Sequence, residues 1–284
     1  MKLVAGFLFI SLITFSQAVT SSLLWEIKGP KQTNSAFIFG TMHLMDDSHF
    51  YFPKKLEKIV LNVETVCLEI NDIQHTQLNP ELLFLNEGGF LAQLSELAMD
   101  SICNWANEKL LMNREQFTAN FSKAKPFLIY QLILQSELPA NLQSQELAIE
   151  KLLLTKKKKQ TIGLETVESQ LALFDDLPFE SQVNLIMTEI AAESDVLINF
   201  TNLQENYLEQ NVEKIHDLLL KENTDPIFNV RFIDERNVTW VKKMIPMISS
   251  QSILFALGAG HLGGENGVLN LLRKEGYTLT PISL

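Results

Sequence analysis

Two histidines in this chain are delivered by the same four-residue device. Gly40-Thr41-Met42-His43 follows the apolar run Ser35 to Phe39, and Gly258-Ala259-Gly260-His261 follows Ile253 to Leu257. Each run reads as a buried strand. A histidine just beyond a strand can bind a metal through a ring nitrogen or move a proton near neutral pH. A glycine three residues earlier permits a tight turn and a close approach by a ligand or a second strand. A single histidine in such a frame is more often a hydrogen-bonded structural residue. Two copies in matching frames, in a chain with five histidines, point to one bipartite site.

Three further residues suit that chemistry. Glu69 ends the apolar run Thr65 to Ile70, flanked by Leu68 and Ile70. A carboxylate there needs water, a metal, an arginine or a histidine as partner. Glu165, in Gly163-Leu164-Glu165-Thr166, is either a second acid or base or a first-turn helix carboxylate. Arg236, after Asp234-Glu235, can orient a glutamate, bind a substrate carboxylate or form a structural salt bridge. His43, His261 and Glu69 make a two-histidine, one-carboxylate set for a divalent metal such as Mn, Co or Zn, with Glu165 as general base. The same residues permit a metal-free scheme in which a histidine activates water and a glutamate tunes it. Spacing does not separate the two. A shared metal requires the rings to lie within about 8 Å of each other. Gly263 to Gly267 can cradle an anion ahead of a helix, but neither a P-loop lysine nor a dinucleotide fingerprint accompanies it. Gly-x-Ser-x-Gly and His-Glu-x-x-His are both missing, which disfavours common serine hydrolases and zincins. His49, His75 and His216 lack a comparable context and read as surface or packing residues.

The elements that must position these residues repeat at the two ends of the chain. Each end reads as strand, Gly-x-x-His, polar loop, helix, strand. Pro53 opens the first helix and Gly267 to Lys274 forms the second, before a strand at Tyr277 to Ile282. Such units favour parallel strands, with an active-site edge at their carboxyl ends. The expected fold is α/β: a mixed or mostly parallel sheet flanked by helices. Residues from about 74 to 160 are rich in Leu and Gln and read as a large helical insert. A helical region follows from Phe179 to Lys221, and another helix is expected from Phe232 to Ile248, opened near Asp234 and stopped around Pro246.

Bulk properties bound the rest. At 284 residues and 46% apolar composition the chain can bury one large core. A net charge of −11 argues against nucleic acid as a partner. The basic run Lys156 to Lys159 reads as a solvated turn. Lys2, the apolar stretch Leu3 to Phe15 and Ser16-Gln17-Ala18 have the form of a signal peptide cut after Ala18. The expected organisation is therefore a leader over 1–18 and a single domain over 19–284. No later run is long and apolar enough for a span, so the expectation is a periplasmic or secreted protein with no stable membrane anchor after cleavage. Cys67 and Cys103 are either a disulfide or two buried thiols.

Four separated motifs in order resemble the TraB/PrgY/GumN family, which includes the Tiki metalloproteases. They are Phe37 to His43 with Pro53 and the Glu69 strand, Gly163 to Gln170, Glu235-Arg236-Asn237, and Gly258 to Gly267. The resemblance covers nearly the whole chain after Ala18, although the insert matches only in character. It implies first an exported, metal-dependent peptidase acting on a peptide or secreted protein, with activity carried by His43 and His261 and with Glu69 and Glu165 as accompanying acids. Erythromycin-esterase-like and ChaN-like proteins are wider relatives, and through them the resemblance also allows a metal-independent His/Glu hydrolase. A protein that sequesters a peptide without cutting it is the third reading.

Overall fold

The computed structural model describes residues 21–30, 32–71, 79–155, 160–222 and 225–284. The leader over 1–18, His75 and Lys156 to Lys159 lie outside them, as do parts of the stretch from 74 to 160.

Strand β1 (Leu24–Lys28) turns back into β2 (Ala36–Thr41), which ends inside the first Gly-x-x-His. A short β3 (Met45–Asp46) precedes α1 (Lys54–Asn62), which begins directly after Pro53. Strand β4 (Thr65–Ile70) follows. Four helices come next: α2 (Glu96–Lys109), α3 (Arg114–Phe121), α4 (Pro126–Glu137) and, after β5 (Leu142–Gln143), α5 (Gln145–Leu154). Then β6 (Gln160–Glu165) leads into α6 (Val167–Asp175), α7 (Phe179–Ala191), α8 (Glu193–Leu208), α9 (Val212–Glu222) and α10 (Pro226–Asn229). A π-helical turn, Val230–Asp234, runs into α11 (Glu235–Ser250). The chain closes with β7 (Ile253–Gly258), α12 (Val268–Lys274) and β8 (Thr278–Ile282).

The main sheet has the order β6-β4-β7-β2-β1-β8. Pairings β6–β4, β4–β7 and β7–β2 are parallel, whereas β1 runs antiparallel to both β2 and β8. The sheet is thus mixed with a parallel core, as the paired strand–helix–strand ends predict. All six residues of β7 are buried. A central strand covered on both faces needs apolar residues at every position, which explains its continuous apolar run.

Two apolar cores result. The larger joins the sheet to Leu56, Ile149, Tyr207, Ile215, Trp240 and Leu272 on the surrounding helices. The smaller is built from α2, α3, α4, α6 and α7, through residues such as Trp105, Phe117, Ile129, Phe174 and Ile186. Helix α5 belongs to the larger core through Ile149 and Leu153, although it lies in the Leu- and Gln-rich stretch. Helix α11 carries Pro246 inside it rather than stopping there, and ends at Ser250, two residues beyond the expected Ile248, which is buried. Core burial of that last turn offsets the single backbone hydrogen bond a proline removes. Cys67 and Cys103 are both free and buried. Burial pushes the Cys67 thiol up to about 12, so it is unreactive at neutral pH. No described helix is long and apolar enough to cross a membrane.

Candidate active site

The parallel register sets Thr41 of β2 beside Gly258 of β7, and Ile70 of β4 beside Glu165 of β6. His43, Glu69, Glu165 and His261 therefore all sit at the carboxyl edge of four adjacent strands. The two glycine motifs also touch. A Cβ on Gly40 would lie 2.8 Å from Leu262 Cδ1 and 3.2 Å from the Ala259 backbone. A Cβ on Gly258 would lie 3.1 Å from Glu69 Oε1, 3.4 Å from His43 Nε2 and 3.5 Å from His261 Cδ2. Three predicted site residues thus converge on one glycine, and these ring atoms lie inside the limit set above for a shared ligand. Gly258 is glycine because a side chain there would fill the centre.

Arg236 ties the inner part together. Its Nη2 is 2.7 Å from Glu69 Oε2 and 3.1 Å from Glu165 Oε2, and its Nε donates to both Glu165 oxygens. Its Nη1 donates to the Phe232 carbonyl at 3.0 Å and lies 3.2 Å from His261 Nε2. One turn later on α11, Trp240 places its ring 4.6 Å beneath the guanidinium and donates its indole N–H to Glu165 Oε1. Glu165 is fixed by a tight turn: Thr166 caps α6 in a reciprocal capping box with Ser169. Gln170, on the first turns of α6, reaches back to Glu69 Oε2 and Glu165 Oε2. The Gly258 N–H donates to Glu69 Oε1 at 2.7 Å. Burial would push the Glu69 carboxyl up, but His261, His43, Arg236 and the Gly258 N–H outweigh it and bring it to about 2.

The tautomer of His261 follows from its neighbours. Asn237 Nδ2 donates to the Asn266 carbonyl, so Asn237 Oδ1 faces His261 Nδ1 as an acceptor at 2.7 Å. Nδ1 carries the proton and Nε2 presents its lone pair to Arg236, which can only donate. Burial, with Arg236 and His43 adding to it and Glu69 opposing, depresses His261 to about 3. This has a sign and a window. A histidine with a lowered folded pKa contributes stability present above its ordinary 6.5 and lost as pH falls through about 3. Urea unfolding between pH 6.5 and 3 should become progressively easier, and His261→Gln should flatten the upper part of that slope. The lower part belongs to Glu69, whose contribution is present above 4.5 and lost toward 2.

His43 is built differently. Its Nδ1 lies 2.8 Å from Glu146 Oε1 and its Nε2 lies 4.0 Å from Glu69 Oε1. Protein crowds the inner side of the ring, but the side chain is 61% exposed and its outer face opens to the pocket. Glu146 comes from the first turn of α5, capped by Ser144, where a helix N-terminus favours a carboxylate. Glu146 Oε1 and Thr41 Oγ1 are buried without an aligned hydrogen bond, so the His43–Glu146 contact is an ion pair rather than a linear hydrogen bond. The Glu146 charge, opposed by burial and supported by Glu69, raises His43 to about 9. Burial would raise the Glu146 carboxyl in turn, yet the facing His43 lowers it. Gln145 steadies the same corner: its Oε1 accepts from Met42 N, and the Tyr207 hydroxyl lies between it and the Gly40 carbonyl. His216, expected as surface or packing, is buried and meets the Gly260 carbonyl through Nδ1 at 2.9 Å, bracing the second motif.

The predicted metal set does not fit an ion in this arrangement. Glu69 Oε1 is taken by the Gly258 N–H, and Glu69 Oε2 by Arg236 and Gln170. His261 Nε2 faces the Arg236 guanidinium, a permanent cation, where an ion shared with Glu69 would have to sit. Among the described residues no three His, Cys, Asp or Glu side chains form a metal-ligating group. Glu146 and Trp240 are site residues outside the sequence motifs, and Gln170 and Asn237 lie within two of those motifs without a role assigned to them there.

Above the two histidines opens a pocket of about 340 Å³, walled by Phe200, Leu203, Ile215, Leu219 and Ile233. The arrangement can hold a carbonyl compound against one neutral and one cationic imidazole, beside a buried arginine clamped by two carboxylates. Metalloprotease TIKI2 of Danio rerio is similar to this chain, at 21% identity over 318 residues covering 92% of the chain. The chain spans 61% of the length of that relative. No solved structure matches it. The model of the TraB/PrgY/gumN family matches residues 23–281, which takes in both histidine motifs and every site residue named above, and the chain belongs to that family.

Proposed function

We propose that this protein is a hydrolase that cleaves a peptide or ester bond with water activated by His43, without a resident metal. The observation that carries this reading is the convergence of His43, Glu69 and His261 on Gly258 at the floor of the pocket. Neutral His43 takes a proton from a water on the pocket side through Nε2, while Glu146 holds Nδ1 and steadies the imidazolium that forms. The hydroxide adds to the substrate carbonyl. His43 then returns the proton to the departing amine or alkoxide, so the catalyst is restored. Arg236 supplies fixed positive charge toward the negative charge that develops on the carbonyl oxygen, and its clamp by Glu69 and Glu165 keeps it from reorganising. His261 stays neutral and holds one wall of the site. The apolar run Leu3 to Phe15 supports export as part of this reading, with a peptide or secreted protein as substrate.

A second reading, a metal-dependent peptidase, is favoured by the similarity to a protein named a metalloprotease. It requires Arg236 to release both Glu69 Oε2 and His261 Nε2. The test is hydrolysis of a panel of peptides and aryl esters by the purified protein, with EDTA and with added Mn²⁺, Co²⁺ or Zn²⁺. Turnover that survives EDTA and falls at least about a hundredfold in His43→Ala is the expected result. Turnover that EDTA abolishes and one metal restores would transfer the assignment to the second reading. A peptide held tightly and recovered intact would mean a sequestering protein.

A further inference from the structure

The pocket over the histidines does not end there. A second cavity of about 310 Å³ shares five of its wall residues: Leu138, Phe200, Leu203, Leu219 and Ile233. The two are one cleft with an apolar waist, its near end at His43 and His261. Polar groups are scarce along the near half. The Tyr207 hydroxyl is engaged between Gly40 O and Gln145 Oε1, and the buried Thr41 hydroxyl lies beside the Glu146 carboxylate. A peptide threaded through the waist would bring an N–H and a C=O per residue past side chains that offer them no partner, at a cost for each. A hydrocarbon chain brings none. Polarity returns only in the far cavity, where Thr188, Glu189 and Asn199 line the wall. The half-buried Glu189 carboxyl is raised by burial there, against a hydrogen bond from Tyr130.

We infer that the cleft is an acyl-chain site: it takes a linear hydrocarbon arm attached next to the carbonyl that His43 faces, passing the waist and ending before Glu189. The inference rests on the hydrolase reading for which end of the ligand lies at the histidines, but the arm itself does not require turnover. It assigns Phe200, Leu203, Leu219 and Ile233 to substrate selection by chain length.

The test is kcat/KM for p-nitrophenyl esters from acetyl to dodecanoyl, measured on wild type, Leu203→Trp and Ile233→Phe. In wild type each added methylene should raise kcat/KM about threefold until the chain reaches Glu189, after which the gain should level off. In both variants the decanoyl-to-acetyl ratio should drop at least about tenfold. Calorimetric titration with dodecanoate on the same proteins gives a readout without chemistry. If neither these esters nor the peptide panel is turned over but dodecanoate binds and the waist variants weaken it, the arm stands and the hydrolase reading falls. If esters are turned over with no dependence on chain length, or at an unchanged ratio in both folded variants, the arm falls and the hydrolase reading stands. A preference for N-acetyl-phenylalanine ester over the decanoyl ester would also overturn it, since that would make the near cavity a side-chain pocket.

Discussion

Arg236→Met will destabilise the protein by about 3–5 kcal/mol at neutral pH, the range for removing one partner of a buried ion pair. Arg236 and Glu69 are 11% and 8% exposed, and Glu165 is equally enclosed at 11%. Without the guanidinium, two largely enclosed carboxylates face each other, and Gln170, Trp240, the Gly258 N–H and the more distant His43 are left to offset their desolvation. The deficit should depend on pH in a set direction. In wild type the Glu69 contribution is present above 4.5 and lost as pH falls toward 2. In the variant, burial of Glu69 no longer has Arg236 against it, so that carboxyl protonates at higher pH and the penalty fades on acidification. Urea unfolding from pH 7 down to 3 should show the two proteins converging. Glu69→Gln added to Arg236→Met should recover part of the loss. A difference under about 1 kcal/mol at pH 7 would mean that the arginine is not the keystone of this edge.

The second large effect concerns the pH at which the protein works. With His43 raised to about 9 by Glu146, only about one imidazole in a hundred is neutral at pH 7. If His43 must be neutral to take a proton, the activity of the wild type should climb with pH to near 9. Glu146→Gln removes the leading cause of that shift, so the rising limb should move down toward the ordinary 6.5. The plateau should fall as well, because a weaker base is left and the ring is less firmly held. A limb that stays in place while activity drops evenly at all pH values would reduce Glu146 to a structural support. Solvent over the exposed face of the ring weakens the pull of Glu146, so the size of the displacement reports how open that face is in solution.

Much of this site is legible in the residue pattern, for a physical reason. Strand ends in a parallel sheet announce themselves by apolar runs that stop at a polar residue, and His43, Glu69, Glu165 and His261 all obey that rule. Arg236 is visible because a cation at a helix start, among acids, needs an explanation. Glu146 is not visible. It sits in a Leu- and Gln-rich helical stretch, where Ser144 signals the start of a helix but nothing signals that its first turn points at His43. Gln170 and Trp240 are hidden in the same way: spacing gives the turn of the helix on which they sit, while their partners lie on strands 101 and 75 residues away. The metal question is hidden from the pattern for a related reason. Two histidines and a carboxylate suit an ion by type, and only packing reveals that Arg236 faces His261 Nε2 and Glu69 Oε2.

Strand β7 lies between β2 and β4 in the sheet yet comes near the end of the chain. Until the ribosome has made Ile253 to Gly258, β2 and β4 have no native partner on their facing edges and no common plane. About the first nine-tenths of the polypeptide therefore waits with two apolar strand edges open, a condition that invites mispairing and calls for a chaperone or a rapid hand-over. Completion is a late, long-range event of the kind that makes parallel sheets fold slowly. The same insertion closes the sheet and delivers His261 opposite His43, so a nascent or truncated chain has no partial version of the chemistry to perform.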